Sequence, residues 1–506
     1  MGWIPMRKLS VLISMIVIAS SLMLVQANAA DSKAGTACTK LGSYSTALSV
    51  KYVCAKSGKK QVWTRWYPAS DKKSGTVCTK LGTYSKVLSV KYVCVKSGKK
   101  KVWTRWYPAS PNQSGTESNS NQIFGSSCST AGEIKIVGDK RYFCESINRN
   151  SNFKWDQGTP TSFKAPIPIT LPVAQNGSIT FENAPSRVSE ISAVSWQRIK
   201  EIIDASPEVN VPYQILVGPN TTTVTRTLEE QLLARQFKLW NGFQQTKYLT
   251  VIAHNFADMD WAVTTYNKVL KERSYPSGGD PNAGASRVNQ NCDVSSQECA
   301  AGNAGQVGGT NEAIEFLGVN TGIWEPGSMV GHEYTHTLTA AQFNGTAAVE
   351  TGYYQQSFTP CWLNEGFSNA SGLGAAYTDL QQYSRTRDYN VARYSALPSN
   401  FQGFTAAGLK DYLYSQVSNP TSPNSCYSGI GPIYKLGYSI GYAATEALFA
   451  IGGPQSVLAL FSRGAMGDSF SEAFKNVYGI SWDEGSTALG KILAAEYAVR
   501  PMRTSN

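Results

Sequence analysis

The sequence predicts an α+β protein, a mixed β-sheet lobe followed by a helical lobe, preceded by small disulfide-held β repeats. Three observations predict it. Short runs rich in β-branched and aromatic residues alternate with longer stretches whose apolar residues recur at three- and four-residue spacing. Late in the chain the helical spacing takes over, as in the apolar stretch 442–461. Near the N-terminus, forty-residue units repeat, each with two cysteines sixteen residues apart.

The 506 residues suffice for two or more domains and a sizeable core, and 42% hydrophobic with 16% charged residues is ordinary for soluble protein. Residues 1–29 read as a signal peptide. Arg7 and Lys8 precede an uncharged apolar run from Leu9 to Val25, and Ala27-Asn28-Ala29 is a small-x-small cleavage site, so the mature chain is expected to start near Ala30. The apolar run is short for a membrane anchor, and no later segment is apolar enough to cross a bilayer. Export to an oxidising compartment fits the ten cysteines, which are expected to form five disulfides: Cys38–Cys54, Cys78–Cys94, Cys128–Cys144, Cys292–Cys299 and Cys361–Cys426. Zinc ribbons would need closely spaced Cys knuckles, which the sequence lacks.

Residues 31–74 and 75–114 hold two near-identical basic repeats, and 123–158 a degenerate third with Cys128, Cys144 and Trp155 in matching places. In each unit two strand-like runs flank a polar turn such as Lys56-Ser57-Gly58-Lys59-Lys60, which reads as a hairpin held by one disulfide. Seventeen of the 46 Lys and Arg fall between residues 31 and 115, against only Asp31 and Asp71, so the net charge of +11 originates in the repeats. The repeats resemble short Cys-containing modules of exported actinobacterial proteins. Their lysines and the paired tryptophans Trp63, Trp66, Trp103 and Trp106 suit an anionic cell-wall polymer or a glycan. Equally, the tryptophans can be hairpin core and the lysines a solvated face. Nucleic acid is the weaker candidate for an exported module. Residues 110–122 are a polar linker, and 159–175 a second linker kept extended by four prolines.

Residues 176–506 form the main domain. Strands are expected at 213–217 and 248–253, and helices at 226–240 and 258–271. A glycine-rich stretch then leads into a strand over 310–319, either a sheet edge that pairs with an extended peptide or an ordinary internal strand. Pro326 suits a helix start, and the following helix, about 328–342, carries His332-Glu333-Tyr334-Thr335-His336. Positions i and i+4 share a helix face, so both imidazoles reach one ion, and Glu333 sits where a general base should. Only three histidines occur in the chain; His254, remote from the motif, reads as structural.

Downstream comes Trp362-Leu363-Asn364-Glu365-Gly366-Phe367, with Glu365 twenty-nine residues after His336. With H-E-x-x-H upstream, this resembles the gluzincin metallopeptidases, which include thermolysin-like enzymes, zinc aminopeptidases and bacterial collagenases. The resemblance spans roughly residues 310–490 and implies a gluzincin-like catalytic domain with its cleft between the two lobes. It makes Glu365 the third ligand of one catalytic Zn2+, beside His332 and His336, with the fourth position open for water. It also implies a tyrosine as transition-state donor, here Tyr438 with Tyr434 as alternative, from the Tyr434-Lys435-Leu436-Gly437 and Tyr438-Ser439-Ile440-Gly441 segments.

Two departures stand out. The position four after Glu365, often acidic where it orients a ligand histidine, is Asn369, and the aminopeptidase segment that reads a free N-terminus is missing. The expectation is therefore a secreted, cell-wall-associated zinc endopeptidase acting on peptide or protein substrates. Its rival is a cell-surface binding protein that carries an inactive peptidase-like domain. Cys361, beside the strand expected to carry Glu365, would bracket the cleft through Cys426.

Overall fold

A computed structural model describes residues 44–47, 50–57, 60–65, 84–87, 90–97 and 100–105 and, with short internal gaps, 123–174, 179–222, 226–275, 283–319, 328–344, 358–397, 401–418 and 432–504. Residues 1–29, where a signal peptide is expected, the polar stretch 110–122, and Cys38, Cys78 and Cys426 lie outside the described residues. The chain forms two compact units, residues 1–118 and 119–506.

In the first unit each repeat is a three-stranded antiparallel sheet: β1 (Tyr44–Ala47), β2 (Val50–Ser57) and β3 (Lys60–Arg65), then β4 (Tyr84–Val87), β5 (Val90–Ser97) and β6 (Lys100–Arg105). Register sets Cys54 opposite Trp63 and Cys94 opposite Trp103. The degenerate third copy opens the second unit with β7 (Ile134–Val137), β8 (Lys140–Ser146) and β9 (Phe153–Pro160), and sets Cys144 opposite Trp155. There Cys128 is bonded to Cys144, and Trp155 is buried with Tyr142 and Cys144, so Trp155 is hairpin core. The proline-rich stretch after it is extended but is not a free spacer. Ile167, Ile169, Leu171 and Val173 pack on the main core, and the Val173 N–H donates to the Val477 carbonyl at 2.8 Å.

The main domain holds one four-stranded sheet. It is built from β10 (Tyr213–Val217), β11 (Tyr248–His254), β14 (Gly302–Val307) and β15 (Glu312–Gly318), in the order β10-β11-β15-β14. The first three are parallel and β14 is antiparallel to β15. The strand expected at 310–319 is thus internal. The edge is β14, which lies in the glycine-rich stretch where no strand was expected, because glycine removes the side-chain alternation by which strands are read. A two-stranded hairpin, β12 (Cys292–Asp293) and β13 (Glu298–Cys299), precedes β14 and is closed by the Cys292–Cys299 disulfide.

Helices cover both sheet faces. Ile314 and Phe316 belong to one apolar cluster with Ala262, Val269 and Leu270 of α3 (Met259–Glu272) and Val288 of α4 (Ala283–Asn289). Ala313 and Leu317 point the other way, into the main core, which gathers α1 (Val188–Ala205), α2 (Arg226–Leu239), the motif helix α5 (Ser328–Ala341) and α6 (Cys361–Ala376). The remaining helices are α7 (Leu380–Val391), α8 (Ala406–Ser418), the short α9 (Pro432–Lys435), α10 (Ile440–Gly452), α11 (Pro454–Ala465), α12 (Phe470–Tyr478) and α13 (Trp482–Val499). Ser469 and Ser481 start the last two with capping boxes to Glu472 and Glu484. This is a mixed α/β molecule, compatible with an α+β class. Among the described residues no single helix is long and apolar enough to cross a membrane.

Candidate metal centre

The centre is built where α5 crosses α6. Glycines let the two backbones meet: a Cβ on Gly331 would lie 2.9 Å from the Gly372 Cα, and one on Gly372 would lie 2.6 Å from the His332 nitrogen. This approach lets a single glutamate side chain span the gap. Glu365, expected on a strand, sits in the first turns of α6; Gly366, which reads as a breaker, faces Gly441 of α10 where a Cβ would collide. Close backbone approach, not local preference, explains that glycine.

His332 and His336 share a face of α5, with their Nε2 atoms 3.1 Å apart. The Glu365 Oε2 lies 3.3 Å from one and 3.5 Å from the other. The hydrogen bonds behind the rings fix their tautomers. Asn369 donates its Nδ2 to the Tyr438 carbonyl at 3.0 Å, so its Oδ1, 2.9 Å from the His332 Nδ1, can only accept from that ring. Ser368 donates its hydroxyl to the Asn364 carbonyl at 3.0 Å, which leaves its oxygen to accept from the His336 Nδ1 at 3.2 Å. In their neutral form, the form that binds a metal, both rings carry their proton on Nδ1 and turn Nε2 lone pairs inward. Between them the buried Glu365 Oε2 has no hydrogen-bond donor. Two lone pairs and a carboxylate oxygen converging without a proton to share are what a cation requires, and these three side chains form a group that could hold a metal ion.

Replacing Asn369 with Ala should weaken metal binding by about 10- to 100-fold, because the His332 ring loses the bond that orients it. Competition with a chromophoric chelator measures this. An unchanged affinity would mean that the amide does not hold the ring.

Glu333, on the next position of α5, is 4% exposed and abuts the edge strand, where any Cβ on Gly302 would strike its carboxylate. Burial pushes its pKa up to about 7, against the pull of His332. Tyr434 donates its hydroxyl to the Glu365 Oε1 at 2.8 Å, and the Tyr438 hydroxyl lies 3.1 Å from that of Tyr434. The Tyr438 ring stacks on His332, with planes 8° apart and centroids separated by 6.0 Å. Every residue read from the sequence as part of this site is therefore gathered at it.

Residues not anticipated are Ser368, Gly302 and Glu315. Glu315 is fully buried on β15, and neither carboxylate oxygen has a hydrogen-bond partner. Burial, then the charges of Glu333 and Glu229, push its pKa well above the usual carboxylate range, and it lies close to Glu333. A lone Glu in the apolar run Ala313-Ile314-Glu315-Phe316-Leu317 was the available signal.

His254 ends β11 in full burial, and its Nδ1 lies 3.9 Å from the Cys292 sulfur. With Cys299 the three have the spacing of a second metal group, but the two sulfurs are joined, which leaves no thiolate to bind. Cys361 is also disulfide-bonded. No family model matches this chain, and no curated protein or solved structure matches it.

Proposed function

We propose that this chain is a secreted zinc-dependent endopeptidase of the gluzincin type, attached to anionic cell-wall polymer by its basic repeats. The observation that carries the reading is the inward convergence of two imidazole lone pairs and one unpartnered carboxylate oxygen, with a buried carboxyl, Glu333, on the adjacent helix position. Neutral nitrogen and carboxylate ligands suit zinc with an open position. Bound there, zinc supplies Lewis acidity toward water and the scissile carbonyl. Glu333 takes the proton of the attacking water and delivers it to the leaving nitrogen, a task for which a pKa near neutrality is well matched. An extended peptide finds its register along β14, whose outer edge is unpaired among the described residues.

The two tyrosines divide the remaining work. The Tyr434 proton is committed to Glu365, which makes Tyr434 the residue that orients this ligand. Tyr438 then rests its own proton on the Tyr434 oxygen and, by turning its hydroxyl away, becomes the donor to the developing oxyanion. Tyr438→Phe should lower kcat by roughly 10²- to 10³-fold with little change in KM; a variant that keeps wild-type kcat removes Tyr438 from this role.

Metal analysis together with a cleavage assay tests the whole reading. The purified protein should hold one equivalent of zinc per chain and cleave casein, lose cleavage on chelation and regain it with added zinc. His336→Ala should lose both metal and cleavage. Stoichiometric zinc without turnover across a diverse peptide library would favour the binding-protein alternative.

A further inference from the structure

The first four residues of the edge strand β14 carry little side chain: from Gly302 to Gly305 only Asn303 is larger than alanine. What flanks it instead is an arginine from α4. The Arg287 carbonyl accepts from the Asn303 Nδ2 at 3.0 Å, and its Nη1 reaches the Asn303 Oδ1 at 3.4 Å. A Cβ on Gly305 would lie 3.1 Å from the Arg287 Nη2, so the guanidinium extends along the strand over a position that a side chain would crowd. Arg287 is half-buried and makes no ion pair among the described residues. Its charge reaches the general-base position, where it opposes the upward push of burial on Glu333.

The strand has two faces. Gly302 faces Glu333, whereas Asn303 and Gly305 face α4 and Arg287. A peptide paired with the outer edge of β14 sends alternate side chains to these two faces. Those on the α4 face pass a guanidinium that is held by Asn303 and makes no ion pair among the described residues. We infer that Arg287 is a specificity-determining residue that selects an acidic side chain, Asp or Glu, at one position of an extended peptide lying along β14. This rests on the peptidase reading above. The guanidinium fork meets a carboxylate with two parallel hydrogen bonds, a geometry that neither an amide nor a basic side chain reproduces.

The test uses the full-length zinc-loaded protein and matched peptides that differ only by Glu, Gln or Lys at one position, scanned across both sides of the scissile bond. At one position the Glu peptide should exceed the Gln peptide in kcat/KM by roughly 10- to 100-fold. Arg287→Gln should bring that ratio close to one, Arg287→Lys should retain part of it, and Arg287→Glu should turn the preference toward Lys. Cleavage with no Glu preference at any position, or a preference that survives in Arg287→Gln, overturns the assignment while leaving the peptidase reading intact. No cleavage of any peptide overturns both.

Discussion

Replacing Glu333 with Gln should lower kcat by about 10²- to 10⁴-fold and leave the metal content unchanged. The change is close to isosteric, so the side chain still fits against Gly302, where space is so tight that a single added carbon would strike it. The amide cannot take up a proton, whereas His332, His336 and Glu365, the group that could hold the ion, are untouched. Chemistry and metal binding should therefore separate cleanly. Turnover of one defined peptide, measured with the zinc content of the same preparation, decides the matter. A Glu333→Gln protein that keeps a tenth of wild-type kcat would exclude Glu333 as the base.

The second large effect lies far from the cleft. Arg387 of α7 is 1% exposed and joins three helices. Its Nε donates to the Glu446 Oε2 of α10 at 2.7 Å, and its Nη1 pairs with Glu496 of α13. Tyr383 donates a further hydrogen bond to Glu446. Arg387→Met should cost about 3–5 kcal/mol, because Glu446 stays in the core without its cation and Glu496 is left with Arg500 alone. Burial already pushes the Glu446 pKa up against the pull of Arg387, so the loss of that arginine lets burial win. Replacing Arg387, Glu446 and Glu496 together by apolar residues of similar size should recover most of the loss, since no charge is then stranded. Urea midpoints of the three proteins measure this. A single variant with an unshifted midpoint would show that water reaches the carboxylates.

These two sites were unequally legible in the amino-acid sequence. The motif helix, read as about 328–342, runs from Ser328 to Ala341, and the strands read at 213–217 and 248–253 appear at Tyr213–Val217 and Tyr248–His254. In such segments side-chain periodicity follows directly from backbone geometry. His332 and His336 were also legible, from their i, i+4 spacing, whereas Glu365 was reached only through the resemblance of its segment to the gluzincins; the three side chains lie together. The helix that carries Glu365 was not legible: Gly366 argues against helix locally, and only its contact with Gly441 across the core explains it. The edge strand was hidden for a related reason, since Gly302 and Gly305 erase the alternation that marks a strand. Arg387 sits among polar neighbours, Thr386, Asp388 and Asn390, and reads as part of a solvated face. Its two buried carboxylate partners lie 59 and 109 residues away, at a range where local patterns carry no information.

The glycine seams beside α6 bear on how this protein can vary. At Gly331, Gly366, Gly372 and Gly441 a methyl group would meet backbone atoms of the facing helix, which cannot rotate aside as a side chain can. No one of these positions can gain a side chain unless the opposite helix withdraws, and withdrawal would carry Glu365 away from the histidines. The four are therefore locked together by backbone contact. Substitutions that keep this fold must fall on side chains outside the seams, such as Arg287 and the tyrosine segment, so the relative placement of His332, His336 and Glu365 is the least adjustable part of the domain.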